Sequence, residues 1–186
     1  MDSLRLFAAI NIVPDENFTM VYNELRQALD YNIIKWVDLH NMHITLRFFG
    51  ETNPDEVPVI TSALEKAKEG ILPFDLTLEN TGIFGSRYDP RVIWFGIGEN
   101  QQLLDLHSGI INALADVEYY ADRQNFVPHL TIGRIKEIRD KQFFQQIVDR
   151  FSTTKLLQQR VTEFSLYQSE LKKEGPIHTC IETFKF

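Results

Sequence analysis

The sequence predicts an α+β fold built on antiparallel sheet, and three observations lead to this class. Short apolar or alternating stretches, typical of strands, are mixed with stretches whose apolar residues recur at helical spacing. Several predicted strands are joined by short turns, which suit antiparallel pairing. The 186 residues are 44% hydrophobic, enough to bury a core in one domain or in two small lobes that share an interface.

The first half of the chain contains two predicted helices between strands. Pro14 ends the opening strand, and Asp15 is a suitable N-cap for the helix that follows. The second helix begins at Pro54 and is stopped by Gly70. The predicted strands of this half cover residues 4–12, 33–37, 43–48, 74–78 and 91–97, and its first helix covers residues 15–30.

The second half contains two more predicted helices. Apolar residues at helical spacing mark one between Leu103 and Leu114 and another between Phe143 and Phe151. Strands are predicted at residues 129–135, 160–171 and 177–186, and a turn at residues 172–176 joins the last two.

One pattern occurs twice in the chain, first as His43-Ile-Thr-Leu and then as His129-Leu-Thr-Ile. Each copy precedes a predicted helix, and nearly half of the chain separates the two. This arrangement predicts a single domain over residues 1–186 that consists of two pseudo-symmetric lobes.

Composition and charge argue against several classes of protein. The net charge of -7 disfavours a protein that coats long nucleic acid, so any nucleic-acid contact should be local. Cys180 is the only cysteine, so no disulfide within the chain is expected, and we interpret it as a small buried apolar residue. No apolar run approaches the roughly 20 residues that span a bilayer, and the N-terminus lacks a signal-peptide pattern. We therefore expect a cytoplasmic protein with no membrane partner.

Each copy of the repeated pattern places a histidine and a threonine together, because residues i and i+2 of a strand share a face. His43 and Thr45 form one such pair, and His129 and Thr131 form the other. Two pairs facing each other across a groove would suit hydrolysis of a phosphodiester without metal. One neutral imidazole accepts a proton from water, one imidazolium protonates the leaving oxygen, and the hydroxyls bind non-bridging oxygens. We expect neither a metal nor a cofactor.

Nearly the whole chain resembles the LigT-like RNA 2',3'-cyclic phosphodiesterases of the two-histidine phosphoesterase superfamily. The two His-x-Thr motifs with their flanks carry most of this resemblance. The matching segments are residues 5–10 (RLFAAI), Trp36, residues 43–51 (HITLRFFGE), residues 126–134 (FVPHLTIGR) and the C-terminal SEL and GP of residues 169–176. Gly133 is a departure, because the family often has Ala there.

The resemblance implies a bilobal α+β fold in which two antiparallel sheets face a central cleft and helices pack on the outside. It also implies hydrolysis of a 2',3'-cyclic phosphate to a 2'-phosphate, with His43 as proton donor and His129 as proton acceptor. The symmetry of the two motifs does not by itself assign these roles. The partner would be an RNA end or short oligonucleotide carrying the cyclic phosphate, and we expect a monomer.

Two arginines are candidates for binding the phosphate. Arg134 follows Thr131 by three residues, so a regular strand would point it to the opposite face unless a bulge or strand end turns it. The resemblance nevertheless implies that Arg134 contacts phosphate, the alternative being a surface ion pair. Arg47 follows His43 by four residues, which predicts the face of His43 and a position at the phosphate or cleft rim. A solvated strand charge is the alternative for Arg47.

The remaining candidates carry weaker signals. His40 and His43 have the form His-x-x-His, but no nearby side chain completes a metal site at a familiar spacing. His107 and His178 lack a companion motif, and we interpret both as structural or surface residues. Three aromatic residues could stack on a base, although packing in the core is the commoner role: Trp36, Phe49 and Phe126.

Other functions remain open at this point. A related enzyme of the same superfamily would act on another cyclic nucleotide or on a 2'-5' linked oligonucleotide, or would run the reaction backward as a 2'-5' RNA ligase. A non-catalytic module that binds RNA ends needs no acid–base pair, so two intact His-x-Thr units count against it.

Overall fold

The structure is a computed structural model that describes residues 3–86, 88–119, 126–173 and 175–186. Within these ranges the chain forms four α-helices and nine strands. The helices are α1 (Glu16–Ala28), α2 (Val57–Ala67), α3 (Gln101–Ala115) and α4 (Lys141–Arg150). The strands are β1 (Leu4–Asn11), β2 (Ile33–Trp36), β3 (His43–Thr52), β4 (Phe74–Ser86), β5 (Asp89–Ile97), β6 (His129–Glu137), β7 (Lys155–Val161), β8 (Glu163–Leu171) and β9 (Pro176–Lys185).

Antiparallel pairing joins the nine strands into one curled sheet. The strand order is β7-β4-β5-β6-β3-β1-β8-β9, and β2 pairs with the later residues of β6. Between β6 and β3, one pair of residues in the described part of the chain, Leu130 and Ile44, connects the two halves. The two predicted sheets are thus joined into one, and the predicted α+β class is confirmed.

The helices bury their apolar faces in one core against one face of the sheet. Alternate residues of β1, namely Leu6, Ala8 and Ile10, belong to this core with residues of all four helices. Phe18 of α1 meets Phe95 of β5 edge to face, with ring centroids 5.4 Å apart. The opposite face of the sheet is therefore the one that carries the other residues of β1, together with both repeated histidines.

Three of the helices begin at an acceptor side chain that caps the first turn. Asp15 accepts a hydrogen bond from the backbone N–H of Phe18 at 2.7 Å, which confirms its predicted role as N-cap. Asn100 and Asp140 each accept the equivalent hydrogen bond, at 2.9 Å, from the backbone N–H of the residue three positions later. Each such cap contributes about 1 kcal/mol of stability, so these residues help to set where α1, α3 and α4 begin.

Three predictions differ from the structure. The strand predicted at residues 74–78 continues to Ser86, because Asn80 takes a left-handed conformation (φ 66°) and interrupts the alternation without ending the pairing. The single strand predicted at residues 160–171 is wrong, since pairing changes from β4 to β1 around Thr162. Cys180 is exposed on β9, so its interpretation as a buried residue is also wrong.

Among the described residues, no helix is both long enough and apolar enough to cross a membrane. The duplication that would make the two halves pseudo-symmetric lobes remains a prediction.

Candidate active site

The pair Ile44–Leu130 brings the two His-x-Thr motifs to the same place. Both of these side chains are fully buried in the core, so their neighbours on each strand project to the opposite face. His43 and Thr45 flank Ile44, and His129 and Thr131 flank Leu130. Because β3 and β6 run antiparallel, His43 lies on the side of Thr131 and Thr45 lies on the side of His129. Each histidine therefore lies opposite the threonine of the other motif, so the two histidines are diagonal to each other.

Both imidazoles are held in the same way by the backbone. The Nδ1 atom of His43 lies 2.7 Å from the carbonyl oxygen of Asn41, and Nδ1 of His129 lies 2.8 Å from the carbonyl oxygen of Val127. A carbonyl oxygen only accepts hydrogen bonds, so Nδ1 donates in both residues. The Nε2 atom of each ring is then the nitrogen that remains for exchanging a proton with a substrate.

Burial lowers the pKa of both histidines, because it disfavours the charged imidazolium. For His43 the pKa falls from 6.5 to about 4. The hydrogen bond to Asn41 opposes this effect, while the charges of His178, His129 and Arg134 add to it. The pKa of His129 is also lowered by burial, against the hydrogen bond to Val127. Both rings are therefore mainly neutral in the unliganded protein at neutral pH.

A β-bulge directly follows each His-x-Thr unit. On β6, Thr131 pairs with Trp94 and Gly133 pairs with Ile93, so Ile132 is the extra residue. Because the bulge reverses the alternation, Arg134 returns to the face of His129 and Thr131. The charge of Arg134 acts on the pKa of His43, in agreement with this position. A regular strand would point Arg134 to the opposite face, and this bulge is the irregularity that turns it back.

The equivalent bulge on β3 moves Arg47 away from the histidines. Thr45 pairs with Ala9 while Arg47 pairs with Ala8, so Leu46 is the extra residue. Ala8 belongs to the helix-covered core, and Arg47 projects to that same side. Its charge lowers the pKa of His107 on α3, after the larger effect of burial. The prediction that Arg47 shares the face of His43 is wrong, because the i+4 rule assumes a strand without a bulge.

Aromatic rings line the site on both sides. Phe7 of β1 lies beside His43, with ring centroids 4.9 Å apart, and Phe84 of β4 meets His129 edge to face at 4.6 Å. Phe48 follows the bulge of β3 at the position that corresponds to Arg134 on β6. Its side chain lies on the histidine face and is 56% exposed. Trp94 contacts Phe84 with centroids 5.4 Å apart. The site thus has apolar walls beside both imidazoles.

The aromatic residues singled out in the sequence lie elsewhere. Trp36 packs edge to face on Tyr22 of α1, Phe49 contacts Tyr119, and Phe126 stacks on His107 with centroids 3.8 Å apart. All three pack against the hydrophobic core. Their interpretation as core residues is confirmed, and the aromatic walls of the site come from residues that the sequence reasoning missed. Phe7 could have been found from the alternation of β1, whereas Phe84 lay beyond the predicted end of β4.

His178 is a further residue of the site, although the sequence suggested only a structural or surface role for it. It lies on β9, and its ring centroid is 5.1 Å from that of His43. No motif marks it, because it reaches His43 through the order of strands β3-β1-β8-β9. His40 belongs to the short 3-10 helix Leu39–Asn41 and acts electrostatically on His178. In the described ranges, no three or more His, Cys, Asp or Glu side chains are grouped as metal ligands.

The fold and the site together define an α+β protein in which two His-x-Thr motifs meet on one face of a curled antiparallel sheet. Residues 12–173 match the family described as the 2'-5' RNA ligase superfamily. A protein of Archaeoglobus fulgidus named RNA 2',3'-cyclic phosphodiesterase is 31% identical over 182 residues, which cover 98% of this chain and 100% of that protein. The chain therefore belongs to the RNA 2',3'-cyclic phosphodiesterase family of the 2'-5' RNA ligase superfamily.

Solved structures agree with this membership. The crystal structure of TT0787 of Thermus thermophilus is similar with a TM-score of 0.79 at 27% identity, and the match covers 97% of each chain. Escherichia coli LigT complexed with 3'-AMP has the same fold, with a TM-score of 0.78 at 21% identity over 99% of this chain and 98% of LigT.

Proposed function

We propose that this protein hydrolyses 2',3'-cyclic phosphodiester ends of RNA to 2'-phosphomonoesters, using His43 as proton donor and His129 as proton acceptor. Family membership supports the reaction. The observation that carries the proposal is the pair Ile44–Leu130, around which two imidazoles and two threonines share one face. Both rings keep Nε2 for the substrate, since Nδ1 of each donates to a backbone carbonyl.

The reaction needs one proton removed and one supplied on opposite sides of the phosphorus. Nε2 of His129 takes a proton from water as the water oxygen bonds to phosphorus. The bond from phosphorus to the 3' oxygen breaks, and Nε2 of His43 protonates that oxygen as it leaves. The phosphate stays on the 2' oxygen. The hydroxyls of Thr45 and Thr131 and the guanidinium of Arg134 bind the non-bridging oxygens, on which negative charge increases in the transition state.

The low pKa of His43 makes the substrate part of the acid–base centre. A donor with a pKa of about 4 carries little proton at neutral pH in the unliganded protein. A phosphate anion beside the ring stabilises the imidazolium and raises this pKa. Binding of the substrate thus favours protonation of His43, the general acid. The positive charge of Arg134 disfavours this protonation until the bound phosphate neutralises the guanidinium.

Phosphorus NMR of a hydrolysed 2',3'-cyclic mononucleotide tests the proposal. We expect a 2'-phosphate as the main product. His43→Ala and His129→Ala should each lower kcat about 10²- to 10⁴-fold, and the double variant should be little worse because the pair acts as a unit. His107→Ala, on α3 outside the site, is the matched control and should retain activity. A predominant 3'-phosphate would reverse the assigned sides, and full activity in either single variant would end the two-histidine mechanism.

Turnover in the presence of EDTA is a second test. Two imidazoles and two hydroxyls account for proton transfer and phosphate binding, so we expect kcat/KM within about twofold of the untreated protein. Loss of activity that zinc or magnesium restores would contradict this expectation.

A further inference from the structure

Three rings on the histidine face form a closed triangle. The ring centroids of Phe7 and His43 are 4.9 Å apart, those of Phe7 and His178 are 4.9 Å apart, and those of His43 and His178 are 5.1 Å apart. His178 meets both neighbours edge to face, at 78° to His43 and 70° to Phe7. The imidazole of His43 therefore has a ring against it on two sides.

The pairing of the strands explains how a residue near the C-terminus reaches this place. Tyr167 of β8 pairs with Phe7 of β1 and, on its other side, with Cys180 of β9. His178 lies two residues before Cys180 and directly opposite Ser169, so it shares the face of Phe7 and Tyr167. Tyr167 stacks on Phe7 with ring centroids 5.3 Å apart and so packs against one member of the triangle.

We propose that His178 is a positioning residue for His43: its ring, with that of Phe7, holds the imidazole of His43 in place, and its positive charge opposes protonation of His43. This inference rests on the proposed role of His43 as a proton donor. It adds a third histidine to a centre whose paired motifs contain two.

The packing part of the inference follows from how few groups fix the imidazole of His43. The hydrogen bond from Nδ1 to the carbonyl of Asn41 fixes one atom, and rotation about that bond would still move Nε2. Phe7 and His178 limit this rotation from two sides. An acid must lie within hydrogen-bond reach of the leaving oxygen, and a displacement of about 1 Å can cost up to 10²-fold in rate.

The electrostatic part follows from the short distance between two groups that can both become positive. At 5.1 Å between rings, in a partly buried site, two imidazolium ions repel strongly. Burial lowers the pKa of His178, and the charge of His40 lowers it further. The other charged groups that act on His43 are His129 and Arg134 from β6. The phenol of Tyr167, whose pKa is raised by burial, is neutral throughout this range.

His178 thus changes the site with pH. Near neutrality it is an uncharged ring that only packs. As the pH falls through its own lowered pKa it gains a proton, and this charge then disfavours the protonated form of His43. As a result, a bound phosphate anion, which raises the pKa of His43, promotes its protonation more effectively than a fall in pH alone.

His178→Phe separates the charge from the packing. In NMR titrations of the unliganded protein, we expect the pKa of His43 to rise by about 0.5 to 1 pH unit in this variant, because the repelling charge is gone. His107→Phe, which alters another half-buried histidine on α3, should leave the titration of His43 unchanged. An unchanged pKa of His43 in His178→Phe would overturn the electrostatic part. This titration requires no substrate, so its outcome is independent of the proposed reaction.

Kinetics of three proteins test the packing part. His178→Ala should lower kcat about 10- to 100-fold with KM within about twofold, because His43 loses one wall. His178→Phe should restore kcat near pH 7, since it keeps the ring. Thermal unfolding of each variant verifies that the fold is retained. Equal loss of kcat in both variants would overturn the positioning role, because the imidazole itself would then be needed, and full activity in His178→Ala would overturn it as well.

Discussion

At the scale of single residues, the site depends on which nitrogen of each imidazole faces the substrate. Asn41 and Val127 precede their histidines by two residues, and the carbonyl of each accepts a hydrogen bond from Nδ1. Neither bond needs a second side chain, so each motif carries its own means of orienting its ring. An acid and a base can therefore be built from the same local geometry, and their roles differ only through what surrounds them.

The threonines give the first prediction at this scale. Thr45→Ala and Thr131→Ala should each lower kcat/KM about 10²- to 10³-fold, because each removes a donor to the non-bridging oxygens. Thr→Ser at the same positions keeps the hydroxyl and should retain most of the activity. Thr77→Ala, on β4, is the control for loss of a strand threonine outside the site. Steady-state rates within about twofold of the unmodified protein for both alanine variants would show that these residues only pack.

The lowered pKa values of His43 and His129 give a second prediction. In the proposed mechanism the active form has His43 protonated and His129 neutral, and its population is largest between the two pKa values. Both lie below 6.5, so kcat/KM should be highest on the acid side of pH 6.5. The optimum of kcat should lie at higher pH, because bound phosphate raises the pKa of a neighbouring imidazole. Rates measured from pH 4 to 9 test this, and a kcat/KM optimum above pH 7.5 would contradict it.

At the scale of elements, the two bulges decide which arginine belongs to the site. Each adds one residue after a His-x-Thr unit, and the side chains that follow change faces. The bulge on β3 brings Phe48 to the histidine face, while the bulge on β6 brings Arg134 there. Two strands with the same motif thus contribute different groups to the histidine face: β3 contributes an apolar ring, and β6 contributes a cation whose charge acts on His43.

Packing around the bulge of β6 gives a third prediction. A Cβ atom on Gly133 would lie 2.8 Å from Cγ2 of Ile34, 3.1 Å from Cγ2 of Ile93 and 3.2 Å from Cε3 of Trp36. Gly133→Ala should therefore lower the free energy of unfolding by about 1 to 3 kcal/mol through overpacking. It should also reduce kcat/KM, because β6 must shift and Arg134 shifts with it. Gly70→Ser is the control for replacing a glycine away from the site. At Gly70 the positive φ of 79° makes a side chain strained, but no atom lies close enough to clash with it.

Denaturant midpoints of both variants, combined with kcat/KM, distinguish the two effects of Gly133→Ala. Loss of stability and of activity is expected for Gly133→Ala, and loss of stability alone for Gly70→Ser. Full stability and activity in Gly133→Ala would show that the bulge adjusts to a methyl group at little cost.

At the scale of the whole molecule, the charge limits how much RNA the protein can hold. The net charge is -7, and Arg134 is the cation that the β6 bulge brings to the histidine face. Phosphates far from the cyclic end therefore approach a mainly acidic protein. We therefore expect recognition to be concentrated on the terminal nucleotide.

Substrate length gives the fourth prediction. An RNA of about 20 nucleotides ending in a 2',3'-cyclic phosphate should have a kcat/KM within about threefold of a trinucleotide with the same end. The logarithm of kcat/KM should fall with the logarithm of salt concentration with a slope of about -0.7 to -1.4, which corresponds to one or two neutralised phosphates. A slope steeper than about -3 would reveal an extended RNA-binding surface.

The sequence alone determined the features that depend on neighbours along the chain. Helical and strand periodicity predicted the four helices and the main strands, because burial of one face imposes its period on the residues of that element. The same reasoning placed each histidine beside its threonine, since residues i and i+2 share a strand face. The N-cap at Asp15 is local in the same sense.

Only the tertiary structure decided the features that depend on pairing between distant strands. The bulges that exclude Arg47 and admit Arg134 arise where β1 and β5 match their registers to β3 and β6. The face that Phe84 shares with His129, and the contact of His178 with His43, depend on strands far apart in the chain. The register of each strand is set by the packing of the whole sheet. An extra residue in one strand reverses the face of every later side chain, so periodicity along that strand cannot reveal which side chains share a face.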